Sequence, residues 1–326
     1  MYMKHISVLV PKGDVVVGSI EGPYKLFSHV NEFLQRDGKQ PAFTIELIGQ
    51  ERETLLENGI YKLNTHRTLH ESFKTDLIII PAVHGDQRKV IHENQDMIQW
   101  ITSQYKRGAE LASLCVGAFI LASTGLLEGK RCATHWLMAN DFRRMFPEIN
   151  LVAEKVITDE YGIYTSGGAY SFLNLILYLV EKYVGREMAV LCAKVFEIEV
   201  DRNSQSPFTI FSGQKDHEDV PVRKAQEFIE QNFQQKITVD QLASMLALSR
   251  RNLERRFKRA TSNTTVEYIQ RVKIEAAKMS LESSRENINE VMYKVGYTDS
   301  KAFRVTFKKI TGLSPVQYRS KYSRLN

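Results

Sequence analysis

Along the first two-thirds of the chain, short and nearly unbroken apolar runs alternate with stretches of helical periodicity. Residues 5–10 read His-Ile-Ser-Val-Leu-Val and end at Pro11 and Gly13; residues 42–48 and 76–81, the latter around Leu-Ile-Ile-Ile, have the same character. Helical patterns lie between them, over about 18–35 and 89–106. Strands that are apolar on both faces and alternate with helices predict a parallel sheet covered on both sides. Residues 51–65 read as a hairpin inserted into that plan. From Ala109 the chain runs Ala-Glu-Leu-Ala-Ser-Leu-Cys115-Val-Gly117-Ala-Phe-Ile-Leu-Ala, a strand passing directly into a helix, with Gly117 permitting a tight turn. Such an elbow sets its central side chain, Cys115, at the carboxyl edge of the sheet, where open α/β folds bind ligands. A cysteine at a helix N-terminus also tends towards a lowered pKa. The alternative reading of Cys115 is a small buried hydrophobe.

After about residue 222 the strand pattern stops and only helical periodicity remains. Ala225, Phe228, Ile229 and Phe233 mark a helix over 222–233. Thr238-Val-Asp-Gln reads as a capping box before a short helix over 241–247. Leu248-Ser249 supplies a turn, and 250–260 forms a second helix with Leu253 and Phe257 facing a core. Arg250, Arg251, Asn252 and Arg255 then lie on the open face, where Arg and Asn can pair bidentately with guanine and adenine; Lys258 and Arg259 follow at the phosphate end. By itself this is equally an amphipathic helix with a solvated basic face. A second copy about fifty residues on removes that reading: a short helix over 288–295, a turn at Gly296-Tyr297 and a helix over 299–309 in which Phe303 and Phe307 take the places of Leu253 and Phe257. Asp299 can cap it, Ser300, Lys301 and Arg304 face outward, and Lys308 and Lys309 are placed for phosphate. Between the copies, residues 266–281 form a connector helix with Tyr268, Ile269, Val272, Ala276 and Met279 on one side, and Arg271, Lys273 and Lys278 largely elsewhere.

Composition sharpens this division. A chain of 326 residues and 37.5 kDa with 43% hydrophobic content is sized for two folded domains. Residues 221–326 hold 21 Lys and Arg against 10 Asp and Glu, whereas residues 1–220 hold 23 against 28. Only the C-terminal part is therefore built to meet a polyanion. The polar stretch 209–221 reads as the linker between domains 1–208 and 222–326, with 205–211 packing back on the first. No apolar run approaches the ~18 residues of a membrane span, and the N-terminus lacks the shape of a signal peptide. Three cysteines, Cys115, Cys132 and Cys192, have no metal-like spacing and fit a reducing cytoplasm; neither metal nor cofactor is expected.

Four segments carry a resemblance. Ala-Ser-Leu-Cys-Val-Gly-Ala-Phe-Ile-Leu-Ala with Gly-Leu-Leu-Glu-Gly-Lys, then Ala133-Thr-His135-Trp136, then Tyr164-Thr-Ser-Gly-Gly-Ala169 and its apolar helix to Tyr183, then 193–208, with its Val-Asp-Arg-Asn-Ser-Gln-Ser-Pro-Phe, occur in order. Residues 4–208 thus resemble the PfpI-type branch of the class I glutamine amidotransferase-like superfamily. That implies a flavodoxin-like sandwich with Cys115 at the nucleophile elbow. It also implies a pocket walled by Cys115 and Val116, the turn Ala82, Val83, His84 and Gly85, His135, and Gly167 and Gly168. PfpI-like hydrolases carry His directly after the elbow Cys and a Glu on the first strand-to-helix turn. Here Val116 follows Cys115, the first turn offers valines and Gly18, and Glu21 comes a full turn late. Residues 222–320, with Val-Gly-Tyr in the second turn and Gly312-Leu-Ser-Pro315 at the close, resemble the AraC/XylS family, although Val305 stands where that family often has Arg. This implies an all-α domain whose two recognition helices enter successive major grooves. The two domains in this order are the arrangement of GlxA-type regulators. The expectation is a cytoplasmic, ligand-responsive transcription factor without enzymatic activity, acting as a homodimer on an operator, with RNA polymerase as a further partner and no membrane. By the same analogy it activates a catabolic operon for a nitrogen-containing metabolite. The rival readings are a cysteine hydrolase or amidase tethered to DNA, with His84 or His135 approaching Cys115, and a redox sensor through Cys115.

Overall fold

A computed structural model describes residues 3–56, 59–200 and 203–323. The chain divides between Gln205 and Ser206 into two units.

The first unit is built on a seven-stranded sheet in the order 157–160, 163–166, 110–113, 77–80, 4–10, 43–49, 67–68. Every neighbouring pair is parallel except the antiparallel edge pair 157–160 and 163–166. The continuous apolar runs have the expected cause: all four residues of Leu77–Ile80 are buried. Helix Gly18–Arg36 covers one part of the sheet through Ile20, Leu26, Phe27, Val30 and Leu34. The pattern expected as one helix over 89–106 is two helices, Gln87–Glu93 and Gln95–Lys106. They part at Asn94, whose fully buried amide serves the Lys12 backbone: Oδ1 accepts from Lys12 N at 2.8 Å and Nδ2 donates to Lys12 O at 2.9 Å. The inserted hairpin pairs Glu53–Leu56 with Tyr61–Asn64. Its residues 57 and 58, like Asp201 and Arg202 of the fourth resembling segment, lie outside the described residues.

The second unit is all helical and holds two small cores. One gathers Val222, Ile229, Leu242, Leu253, Phe257 and Tyr268; the other gathers Ile274, Leu281, Val291, Phe303, Phe307 and Tyr318. Helix Thr265–Ser283 serves both, which changes the face expected of it. Its buried stripe turns part-way along, from Tyr268 and Ile269 to Ile274, Ala277 and Leu281, so that Met279 is exposed. Lys273 and Lys278, expected off the apolar side, are buried because their ammonium groups cap carbonyls: Lys273 donates to Gln235 O and Gly296 O at 3.2 and 3.0 Å, and Lys278 to Thr209 O at 2.6 Å.

The expected linker also differs. Gln205 belongs to the first unit, but from Ser206 the chain packs on the second. Phe211 N donates to Glu275 Oε2 at 3.1 Å, and the Phe211 ring meets Tyr268 edge-on at 5.1 Å. Helix Val220–Asn232 begins inside residues 209–221, capped by Asp219. Among the described residues, no helix is long and apolar enough to cross a membrane.

Candidate nucleic-acid interface and small-molecule site

The two helix-turn-helix units share one construction. Val239–Met245 and Ile288–Lys294 are each followed, two residues on, by a residue with positive φ, Ala247 at 53° and Gly296 at 74°. Ser249 then caps Arg250–Thr261 and Asp299 caps Ser300–Thr311. The likeness continues past the recognition helices. Thr261 Oγ1 donates to Phe257 O and Thr311 Oγ1 to Phe307 O, both at 2.8 Å. Ser262 and Gly312 then leave the helix with φ 58° and 76°, and capping boxes Thr264–Glu267 and Ser314–Gln317 open the next helices. Tyr268 and Tyr318, again fifty residues apart, are both buried and donate to Glu230 and Glu282. This longer repeat escaped the sequence reading, although Thr-Ser-Asn-Thr at 261–264 and Thr-Gly-Leu-Ser at 311–314 carried its signal. Of the expected capping box at Thr238, only the half from Gln241 N to Thr238 is formed.

The charged residues of the first recognition helix separate by environment. Arg251 is exposed and its side chain bonds to no other described residue. Arg255 is exposed and donates to Asn252 Oδ1 at 3.1 Å, pre-orienting that amide. Arg250, expected on the open face, is exposed but paired, with contacts to Asp240 of the preceding helix at 3.2 Å and to Glu254 of its own helix at 3.4 Å. At the first helical position it falls almost in line with the buried Leu253–Phe257 stripe, so the neighbouring helix supplies its partner. Lys258 donates to the end carbonyl of Ser262 at 2.8 Å. Arg256 is clamped by Asp219 through two bonds of 2.8 and 2.9 Å. In the second helix Ser300 is half-buried, while Lys301, Arg304 and Lys308 are exposed, their side chains without bonds to described residues.

At the elbow, strand Glu110–Ser113 passes through Leu114 into the turn Cys115–Gly117 and helix Ala118–Ala122. Cys115 has φ 54°, a conformation that L-residues adopt only under local constraint. Gly117 is required because a Cβ there would lie 2.5 Å from Pro81 O and 2.6 Å from Ile80 O. Cys115 is 5% exposed; burial pushes its thiol up, partly countered by hydrogen bonds from the Ala169 and Val116 backbone N–H groups. The thiol is therefore not lowered as a helix N-terminus alone would suggest, because desolvation outweighs the two N–H dipoles.

The other candidate walls gather around it. Thr134 Oγ1 donates to Cys115 O at 3.0 Å, which brings in His135. The Val83–His84 strand packs on the Cys115–Gly117 turn; Ala82 and Val83 are buried, and Gly85 turns with φ 93°. Gly168 lies so close to the His135 ring that a Cβ would overlap it. Burial, with a smaller contribution from nearby His84, lowers the His135 pKa, and its Nδ1 accepts from Leu137 N at 3.1 Å, so it rests as a neutral imidazole. Gly167 and Gly168 are held by a residue the sequence reading did not single out. Gln205, 2% exposed, accepts from Gly168 N at 2.7 Å and donates to the carbonyls of Thr134, Ala153 and Lys155, each at 2.9 Å. On the first turn, Ser19 Oγ accepts from Ala82 N at 3.0 Å, Gly18 lies against Tyr170, and Glu21 is exposed.

A model of the DJ-1/PfpI family matches residues 31–182, and one of a helix-turn-helix domain matches residues 242–321. The chain joins a DJ-1/PfpI domain to an AraC-type helix-turn-helix domain. It is similar to the transcriptional regulator GbdR of Pseudomonas aeruginosa, at 27% identity over 251 residues, 74% of this chain and 65% of GbdR. It is also similar to the regulator GlxA of Rhizobium meliloti, at 22% over 213 residues and 65% of each chain. The match thus spans just under two-thirds of either regulator. The DJ-1/PfpI part is similar to isonitrile hydratase of Pseudomonas putida, at 24% over 174 residues, 53% of this chain and 69% of the hydratase.

Proposed function

We propose that the chain is a sequence-specific DNA-binding transcriptional regulator whose DJ-1/PfpI domain binds a small effector. The observation that carries the DNA reading is the repeated helix-turn-helix with uncommitted cations, Arg251 in one copy and Lys301 and Arg304 in the other, on the outer faces of its second helices. The names of GbdR and GlxA support the same reading. Arg251, Asn252 and Arg255 are the base readers of the first helix; Lys258 and Lys308 sit where phosphate passes. Arg250, held between two carboxylates, contributes less.

The effector site is the Cys115 edge, with Val116, Ala82 to Gly85, His135, Gly167 and Gly168 as walls. The fully buried hydroxyl of Ser171, two residues past Ala169, has no hydrogen-bond partner among the described residues, so a polar group remains uncommitted beside this edge. The finer reading is an activator of a catabolic operon for a nitrogen-containing metabolite, working in the cytoplasm as a homodimer that engages RNA polymerase. The kinship with a hydratase favours a second reading, cysteine catalysis. Against it stand a thiol raised by burial, N–H groups as the neighbours that act on it, and Val116 rather than a base beside it. Oxidation at Cys115 is the third reading, and a raised thiol pKa slows it too.

The test is selection of duplexes from a random-sequence library by the full-length protein, followed by titration of the selected duplex. Arg251→Ala should weaken specific binding by about 1–3 kcal/mol and relax the preference at one base pair. Arg250→Ala should cost less. Uniform weakening across sequences by Arg251→Ala would confine Arg251 to phosphate, and failure to select any sequence would overturn the reading.

A further inference from the structure

The register of the repeat assigns a place to a residue that charge-based reading passes over. Phe303 and Phe307 occupy the buried positions of Leu253 and Phe257, so Val305 occupies the position of Arg255, at the middle of the outward face. It is 60% exposed. A single exposed valine needs no explanation in general. The surroundings of this one are unusual. Its neighbours one turn away are the exposed cations Lys301, Lys308 and Lys309 and the small exposed Ala302, while Thr306 beside it is half-buried, as is Arg256, which is turned inward to Asp219. The helix therefore presents one branched, stiff apolar group, larger than the neighbouring Ala302 methyl and framed by groups that seek phosphate. A β-branched side chain has little rotamer freedom to lose on contact. In the major groove the one apolar feature of a base edge is the C5 methyl of thymine.

We infer that Val305 is a specificity-determining residue that packs on a thymine methyl in the half-site read by helix Ser300–Thr311. This rests on the DNA-binding reading above and adds a division of labour to it. The first recognition helix reads by hydrogen bonds through Arg251, Asn252 and Arg255, and the second by apolar contact through Val305 with lysines fixing its depth.

The experiment uses the full-length protein and the duplex selected from the random library. Each thymine in turn is replaced by deoxyuridine, which removes only the methyl, and affinities are compared for wild type and Val305→Ala. At one thymine, deoxyuridine should weaken the wild type roughly fourfold, the value of one buried methyl group, and leave Val305→Ala almost unaffected. All other positions should respond alike in both proteins. Val305→Arg should move the preference at that base pair towards guanine, as expected of a side chain in the place of Arg255. Identical deoxyuridine profiles for wild type and Val305→Ala would overturn the inference while leaving DNA reading intact. So would a Val305→Ala protein that binds every duplex normally but fails to activate transcription, which would turn the residue towards polymerase. If no duplex is selected at all, the DNA-binding reading itself fails.

Discussion

Asp219 does two things with one carboxylate. It caps helix Val220–Asn232 by accepting from Val222 N at 3.1 Å, and it grips Arg256 of the recognition helix at 2.8 and 2.9 Å. The Arg256 hydrogen bonds, then the cap N–H and the nearby charges, hold its carboxyl below the usual range despite some burial. The folded protein thus binds that proton less readily than the unfolded chain. Its contribution is present above the unfolded Asp pKa and is lost as pH falls through the lower, folded value. Asp219→Asn keeps a capping side chain but removes the ion pair. In full-length protein, amide exchange of residues 220–232 and 250–261, corrected for intrinsic rates, should therefore lose part of its acid-side acceleration in this variant. Asp219→Ala should open this region more easily still, by about 1 kcal/mol relative to Asn, because the cap is lost as well. An Asn variant with the acid dependence of wild type would show that another carboxyl controls this region. The same contact explains why individual arginines were only partly legible. Arg250, Arg251, Arg255 and Arg256 are one basic run in the sequence; Asp240 and Asp219, ten and thirty-seven residues away, decide which of them are held.

Among elements, the two turns of the repeat do the same backbone work with different residues. Ala247 and Gly296 both take positive φ, a region where a Cβ costs roughly 1–2 kcal/mol. Ala247→Gly should relieve that strain and, after the greater freedom of glycine in the unfolded chain is subtracted, raise stability by roughly 0.5–1 kcal/mol. Gly296→Ala should do the opposite, by about 1–3 kcal/mol. Its Cβ would overlap Gln234 O and lie 2.6 Å from Lys273 Nζ, which is itself fixed on two carbonyls. Urea unfolding of the full chain read by helical circular dichroism gives both signs in one experiment, and equal effects at the two positions would mean that the turns are not equivalent. The elements themselves were largely readable, because burial on both faces gives a strand an unbroken apolar run and burial of one face gives a helix a 3.6-residue period, both imposed locally. The breaks were not. Asn94 interrupts a helical pattern for the sake of Lys12, eighty-two residues earlier, and helix Thr265–Ser283 rotates its buried stripe to serve two cores. At the candidate pocket the elbow was visible in Cys115 and Gly117, whereas Gln205, which ties the 167–168 turn to 134 and 153–155, looked like one more polar residue near the end of the first domain.

At the scale of the molecule the question is whether the two units form one device. The acidic part and the basic part are segregated in sequence, with 21 cations against 10 anions after residue 220 and 23 against 28 before it, so each could act without the other. A regulator and a DNA-tethered enzyme share this composition and differ in thermodynamics. If an effector at the Cys115 edge changes DNA affinity by some factor, DNA must change effector affinity by the same factor, because both are sides of one cycle. Allosteric couplings of about 1–3 kcal/mol would make this a roughly 5- to 150-fold reciprocal change. The expected experiment starts with thermal-shift screening of amino acids, amines and betaines against full-length protein, wild type and Cys115→Ala. The ligand found is then titrated into free protein and into protein saturated with the selected duplex. A regulator gives unequal affinities in those two titrations, matched by the shift in DNA affinity at saturating ligand, and the ligand is recovered unchanged. A tethered enzyme gives equal affinities and consumes its ligand, with consumption lost in Cys115→Ala. The cycle discriminates because a ligand that binds both states equally shifts nothing, however tightly it is held.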